Sequence, residues 1–342
     1  MQSRNDPVAS EADSPRASVI VAAFDAETFV AEAIESALAQ TERDLEVIVV
    51  DDASRDGTAN LVMALSAADS RVRLIRQEVN QGPSAARNRA IDAARGQWLV
   101  VLDADDRMRP ERVARLIDFA EATGADLVAD NPLEVRDKPG TAALHLYPAH
   151  VLARDEPLEL VDVLAGEYRT GGPRSLGFLK PVVRRSLLLA CGIRYPEEIR
   201  VGEDLFVLAL CLAHGAIART SAESYYLYQR RGGSLTTEPN WSRLEQRDLS
   251  LGRELLRLGV DGRTVAITDR SAARARRNAA YFRMTGALKQ RRPIEAARAL
   301  LEVGSPVVIA GNVAKAVRRR VTGRAGRPFG AGPDKLHRVS ER

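Results

Sequence analysis

From residue 18 the chain alternates two kinds of hydrophobic pattern. Residues 18–24 (SVIVAAF) are a short run of β-branched and small apolar side chains, which predicts a buried strand. In residues 26–40 the apolar positions fall at Phe29, Val30, Ala33, Ile34, Ala37 and Leu38, a stripe along one helical face. The alternation continues with predicted strands at 45–50, 72–75, 98–102 and 125–129. Between them fall predicted helices at 58–65, 84–94 and from Pro110, which suits a first helical turn, to about residue 122. Strand–helix alternation on this scale implies βαβ units and a mainly parallel sheet, so the fold class is α/β.

The pattern fades over residues 136–152 and breaks again at Gly171–Pro173. Helical spacing returns at 157–164, 184–191 and 203–214, and residues 223–229 (ESYYLYQ) predict another strand. Beyond Pro239 the spacing is helical at 241–258, 265–289, 293–303 and 306–321. A boundary is therefore expected near Thr237. The expected organisation is a disordered N-terminus at 1–16, an α/β domain at 17–237, a basic helical extension at 238–322 and a disordered tail at 323–342.

Composition narrows the class. With 45% hydrophobic and 28% charged residues in 342, an ordinary globular protein is the default. Two cysteines, Cys191 and Cys211, make no disulfide framework or zinc site, which predicts a reducing, cytoplasmic setting. The polar first residues lack a signal-peptide core, and no apolar run reaches the roughly 20 residues of a membrane span. Net charge is only +4 but unevenly spread. Arg270, Arg274, Arg276, Arg277, Arg283, Lys289, Arg291 and Arg292 cluster beside a single nearby acid, Asp269. Lys315, Arg318, Arg319, Arg320, Arg324 and Arg327 follow, which points to an anionic partner for this part.

Two predicted strands run into acids: Asp51 and Asp52 in VIVVDDASRDGT, and Asp103, Asp105 and Asp106 in WLVVLDADDRMRP. In a parallel α/β sheet ligands sit beyond the carboxyl ends of the strands, so both groups belong to one edge. Asp103 and Asp105 are two apart, and an extended backbone would point both the same way. Paired carboxylates suit a hard divalent cation whose shell is completed by phosphates. A Gly-Pro break with small residues and Arg87 (NQGPSAARN, 80–88) would let a ligand approach the backbone at Gly82, or is simply a loop-to-helix cap. Glu203 and Asp204 in VGEDLF stand at a helix start, where the macrodipole favours acids with or without catalysis. Arginines before a Gly-Gly turn (YYLYQRRGGS, 225–234) could close over a diphosphate or form a solvated rim.

These five elements, in this order from residue 18 to about 236, resemble bacterial family-2 glycosyltransferases. The resemblance is carried by SVIVAAFDAETFVAEAIESALAQT, VVDDASRDGT and NQGPSAARNRAIDAARGQWLVVLDADD, with the later Glu-Asp and arginine-loop motifs. It implies a GT-A fold, a Rossmann-like mainly parallel sheet with a helical C-terminal extension, its 17–131 part binding a nucleotide sugar and its 132–237 part the acceptor. It places Ala22 and Phe24 on the uracil side, Asp52 bonding the uracil, and Asp103 against the ribose. Gly82 and Arg87 would line the donor, Asp105 would hold Mg²⁺ or Mn²⁺ on the diphosphate, and Arg231 would sit in the diphosphate loop. Asp204 would be the general base. Phe24 and Asp25 stand where the family usually has Tyr and Asn, and Gln229 replaces the first loop arginine. SLGFLKPVVRRSLL and GIRYPEEIRVGED resemble the glucosyltransferases of exopolysaccharide synthesis, notably the succinoglycan type. That implies a UDP-sugar donor, UDP-glucose first, and a lipid-linked saccharide acceptor. The basic helices would then hold the enzyme on the anionic inner face of the cytoplasmic membrane.

Two other readings fit some of these residues. A phospho-accepting receiver domain shares the acidic pair and the later acids. It would open on the acidic-pair strand, however, whereas here a strand and helix precede it, and Lys180 beside Pro181 lies in no clear strand pattern. Nucleic-acid binding by the basic helices lacks a recognisable motif and interleaved aromatics, so no nucleic-acid partner is expected.

Overall fold

The computed structural model describes residues 14–136, 143–153, 156–168, 176–230 and 241–303. A seven-stranded sheet forms its centre, with β1 (Ala17–Ala23), β2 (Leu45–Asp51), β3 (Val72–Arg76), β4 (Trp98–Asp103), β6 (Leu127–Ala129), β9 (Val182–Arg184) and β10 (Ala218–Thr220). Their order is β10-β6-β9-β4-β1-β2-β3. The β1–β2, β1–β4, β2–β3 and β6–β10 pairs are parallel, while β9 runs antiparallel to both β4 and β6. A smaller sheet joins β5 (Arg107–Met108), β11 (Tyr226–Gln229), β7 (Leu133–Val135) and β8 (Leu144–His145), in that order.

Alternation along each strand sends side chains to two cores. Val19, Val21, Val47, Val49, Val100 and Leu102 meet α1 (Val30–Leu38) and α4 (Arg112–Thr123) on one face. Ile20, Ile48, Val50, Leu99 and Val101 meet α3 (Pro83–Ala93) and α8 (Glu203–Ala213) on the other. The remaining domain helices are α2 (Thr58–Ala68), α5 (Ala149–Leu152), α6 (Leu160–Tyr168) and α7 (Arg185–Ala190), with a 3-10 turn at Leu176–Phe178. The C-terminal part contributes α9 (Trp241–Arg257), α10 (Gly262–Lys289) and α11 (Pro293–Val303). Leu251, Leu255 and Val265 from α9 and α10 join the same buried cluster as Leu205 and Phe206 of α8. Farther out, Tyr281 and Met284 of α10 pack on Ala296, Ala299 and Val303 of α11.

Several expectations are corrected. The first helix begins at Val30, not residue 26, because side chains of the β2–α2 connection and of the first residue of α2 take up the preceding backbone. Asp25, Ala26 and Glu27 donate their N–H groups to Ser54, Thr58 and Asp56. Pro110 stands outside its helix, which starts at Arg112, since β5 occupies the chain just before it. Residues 144–152, read as patternless, hold β8 and α5. Strands β9 and β10 are three residues each, too short for a period-two pattern to mark them in the sequence. The basic run after Arg270 is also less isolated than its sequence suggests: Arg276, Arg283 and Arg292 pair with Glu245, Glu302 and Glu295. The predicted helix at 306–321, Arg318–Arg320 and the tail lie outside the described residues. Among those described, no helix is long and apolar enough to cross a membrane, and Cys191 and Cys211 are free thiols.

Candidate active site

Strands β1, β2 and β4 end together, with Ala22 of β1 in register with Asp103 of β4 and with Val50 of β2. Acids at two of these ends therefore share one sheet edge. Beside them Asp25 and Ala53 take left-handed backbone conformations, with φ 46° and 61°. Asp and Asn are the side chains that tolerate this region best, so Asp25 can stand where the family has Asn. The Asp25 carboxylate accepts the Arg55 N–H at 2.8 Å, stapling two loops. Phe24 is exposed beneath the Arg55 guanidinium, 5.6 Å from its ring centre.

Asp52 is buried and organises the next loop. Its Oδ1 accepts from the Gln77 amide and the Gln81 N–H at 2.5 and 2.7 Å, and its Oδ2 accepts the Gly82 N–H at 2.7 Å. A carboxylate oxygen takes two bonds, so Oδ2 can accept one more, from an imide N–H for example. Gly82 has φ 96°, a conformation that favours glycine, and a Cβ added there would displace the exposed guanidinium of Arg200, 2.6 Å from its Nη1.

The second acidic group is assembled by a turn rather than by strand alternation. β4 ends at Asp103, and the Asp106 N–H returns to the Asp103 carbonyl at 3.0 Å. This brings carboxylate oxygens of Asp103, Asp105 and Asp106 within 4.8 Å of one another. Asp106 is buried with its oxygens engaged, one by the Gln229 N–H and one by the Tyr226 hydroxyl, both at 2.7–2.8 Å. Burial, followed by the neighbouring Asp103 and Asp105, pushes its carboxyl well above the usual carboxylate range. Asp103 and Asp105 are half-buried beside it, and hard carboxylate oxygens grouped in this way suit a divalent cation. Gln229, at the position of the missing loop arginine, thus serves the acidic turn through its backbone. Arg231 lies outside the described residues.

Asp103 opens a line of alternating charges. Arg87 donates to Asp103 Oδ1 and to Glu203 Oε1, each at 2.8 Å; Lys180 Nζ stands 2.8 Å from Asp103 Oδ2 and 2.6 Å from Asp204 Oδ2. Burial works against the Asp103 carboxylate, but Lys180 and Arg87 outweigh it and hold its carboxyl far below the ordinary range. Burial would likewise push the Lys180 ammonium down, and Asp103 and Asp204 more than reverse this. Arg87 is 7% exposed and lies over the Tyr195 ring at 5.3 Å. Asp204 occupies the first turn of α8, behind Gly202. Its Oδ1 is buried and has no hydrogen-bond partner among the described residues.

The structure thus brings Arg87, Asp103, Asp105, Glu203 and Asp204 into one cluster. Ala22, Phe24, Asp52 and Gly82 lie along the same sheet edge. Lys180 was missed as a site residue. Because β9 runs antiparallel to β4, its leading end returns to the edge where Asp103 sits, and Lys180 comes just before it. Nothing in the local sequence marks that return.

Residues 18–171 match the family description Glycosyl transferase family 2, and this stretch is a family-2 glycosyltransferase domain. The chain is similar to Succinoglycan biosynthesis protein ExoO of Rhizobium meliloti, 40% identical over 222 residues, covering 65% of this chain and 63% of that protein. It is 36% identical over 220 residues to Succinoglycan biosynthesis protein ExoU of the same organism, covering 64% and 63%. The chain therefore spans a little under two thirds of the length of these relatives. Among solved structures it resembles S. aureus TarS 1-349 in complex with UDP-GlcNAc, with a TM-score of 0.59 and 20% identity over 83% of this chain and 79% of that one. The fold is thus of the GT-A class, a mostly parallel sheet with helices and a helical C-terminal region.

Proposed function

We propose that the protein is an inverting, metal-dependent hexosyltransferase that moves a sugar from a UDP donor, UDP-glucose first, to a saccharide acceptor. The carrying observation is the buried, unpartnered Oδ1 of Asp204, one lysine away from the Asp103–Asp105 cluster. Such an acceptor atom is costly to bury unless something comes to bond it, and an acceptor hydroxyl would do so. The UDP-GlcNAc in the TarS complex and the succinoglycan relatives support the donor and the exopolysaccharide setting.

In this reading Ala22 and Phe24 take the uracil, the remaining lone pair of Asp52 accepts its N–H, and Asp103 faces the ribose. Asp105 would hold Mg²⁺ or Mn²⁺, which when bound supplies Lewis-acid neutralisation of the departing diphosphate. Asp204 removes the proton from the acceptor hydroxyl as its oxygen attacks the anomeric carbon. The bond from that carbon to the diphosphate oxygen breaks on the opposite face, leaving UDP and an inverted linkage. Glu203, a neighbour about 100° around the helix, is turned to Arg87 and cannot share that role. A lipid-linked acceptor would explain why basic helices accompany the domain, holding the protein at an anionic membrane surface.

The test is turnover of UDP-glucose, UDP-galactose and UDP-N-acetylglucosamine with Mn²⁺ by the full chain. Asp204→Asn should lower turnover roughly 10²- to 10⁴-fold with UDP affinity nearly unchanged, and Glu203→Gln should be milder. Near-normal turnover in Asp204→Asn beside a dead Glu203→Gln would reverse the assignment. No turnover of any donor would overturn the function.

A further inference from the structure

Lys180 is anchored from both ends. Its carbonyl is gripped by Nη2 of Arg112, which is fully buried, pairs with Asp130 and lies 4.9 Å from the Tyr226 ring centre. Pro181 follows and fixes the backbone dihedral there. The ammonium, on a side chain 7% exposed, bridges carboxylates from β4 and α8 that are far apart in sequence. A lysine suits this place because it is a compact charge with several donors that need not lie in one plane.

We propose that Lys180 is a positioning residue for transfer: it holds Oδ2 of Asp204 and thereby turns Oδ1 toward the acceptor, given the assignment of Asp204 as base on which this rests. The last torsion of an aspartate is broad and two-fold, so helix position alone does not decide which oxygen is left to accept a new bond or at what angle. A bond to one oxygen decides it. The other end of the same ammonium holds Asp103, so the base is fixed relative to the donor-side acids rather than only to its own helix. Arg87 ties Asp103 to Glu203, the residue beside Asp204, and closes the arrangement from the other side.

The experiment uses the full chain with Mn²⁺ and whichever of the three UDP-sugars is turned over fastest. Lys180→Met, Lys180→Arg, Asp204→Asn and the Lys180→Met/Asp204→Asn double variant are compared for kcat, KM, UDP affinity by calorimetry and thermal melting. Lys180→Met should lower kcat roughly 10- to 100-fold, the usual effect of losing a group that orients a reacting one. UDP affinity should stay near wild type, because Asp103 keeps Arg87. Lys180→Arg should recover part of kcat, and Lys180→Met should cost little more once Asp204 is already Asn. Should Lys180→Met melt too low to assay, Lys180→Gln is judged by the same criteria. Normal kcat in the Lys180 variant beside a slow Asp204→Asn would overturn the positioning role and leave the base assignment standing. A Lys180 loss that multiplies in full onto Asp204→Asn would also overturn it, as would a loss that appears only as lowered melting or UDP affinity. Near-normal turnover in Asp204→Asn would instead remove the base itself.

Discussion

Replacing Gly202 by alanine probes how the C-terminal helices hold α8, whose first turn carries the proposed base Asp204. Gly202 precedes α8 with φ 79° and ψ 27°, a left-handed conformation. A residue with a side chain loses about 1–2 kcal/mol there. The added Cβ would also fall 2.5 Å from Nη1 and 2.9 Å from Cδ of Arg247 on α9. Arg247 is 3% exposed and gives two bonds to Asp248 Oδ1, at 2.9 and 2.7 Å, while Asp248 Oδ2 accepts the Ser271 hydroxyl at 2.6 Å. Moving the guanidinium sacrifices at least one charge-assisted bond, worth about 1.5–3 kcal/mol. The sum is a loss of about 2.5–5 kcal/mol in urea unfolding. If α8 yields instead, its first turn carries Asp204 with it, and kcat should fall while UDP affinity holds. An Arg247→Ala background separates the two contributions, because there the clash is gone and only the conformational cost of about 1–2 kcal/mol remains. A loss below about 0.5 kcal/mol in the wild-type background, the scale of an ordinary surface substitution, would refute the reasoning. Equal losses in both backgrounds would refute the part assigned to Arg247.

Asp105→Ala should remove the effect of Mn²⁺ on UDP affinity by calorimetry without changing the melting temperature much; wild-type UDP binding and turnover indifferent to excess chelator would contradict the metal role. Glu46 is buried and accepts bonds from Ser18, the Arg95 N–H and the Arg73 and Arg95 guanidiniums. Burial pushes its carboxyl up, yet the Arg95 N–H, Ser18 and the Arg95 charge outweigh this and lower it overall. Its folded value lies below the unfolded one of about 4.3, so its stabilisation is present above that pH and lost as pH falls through the folded value. Glu46→Gln should therefore cost about 1–3 kcal/mol at pH 7 in denaturant unfolding, with the gap to wild type closing in acid; a gap constant with pH would contradict this. For the basic helices, sedimentation should show binding to acidic but not neutral vesicles, weakened by salt. Equal binding to both, or tighter binding to duplex DNA, would count against a membrane role.

The strand–helix alternation was legible because β1, β2, β4 and the helices between them bury whole faces, and burial writes its period into the side chains. The acids at the ends of β2 and β4 were legible for a related reason, since a parallel sheet collects its strand ends at one edge. Glu203 and Asp204 stood out only by motif, as a helix start attracts acids whether or not it serves chemistry. The inference that Asp103 and Asp105 share a side because the backbone is extended was wrong in its cause: the strand has already ended, and a hydrogen-bonded turn gathers the carboxylates.

What the sequence determined by itself is the class of the fold and the gathering of the Asp51–Asp52 and Asp103–Asp106 acids at one sheet edge, because these follow from local period and strand direction. What only the tertiary structure decided is which charges meet. Lys180 reaches Asp103 because a three-residue strand enters the sheet antiparallel, Arg112 fastens Lys180 from a helix 68 residues earlier, and Arg247 presses on Gly202 from a C-terminal helix. Contacts between segments so distant in the chain depend on how the elements pack, and no local periodicity encodes a pairing that packing alone brings within reach.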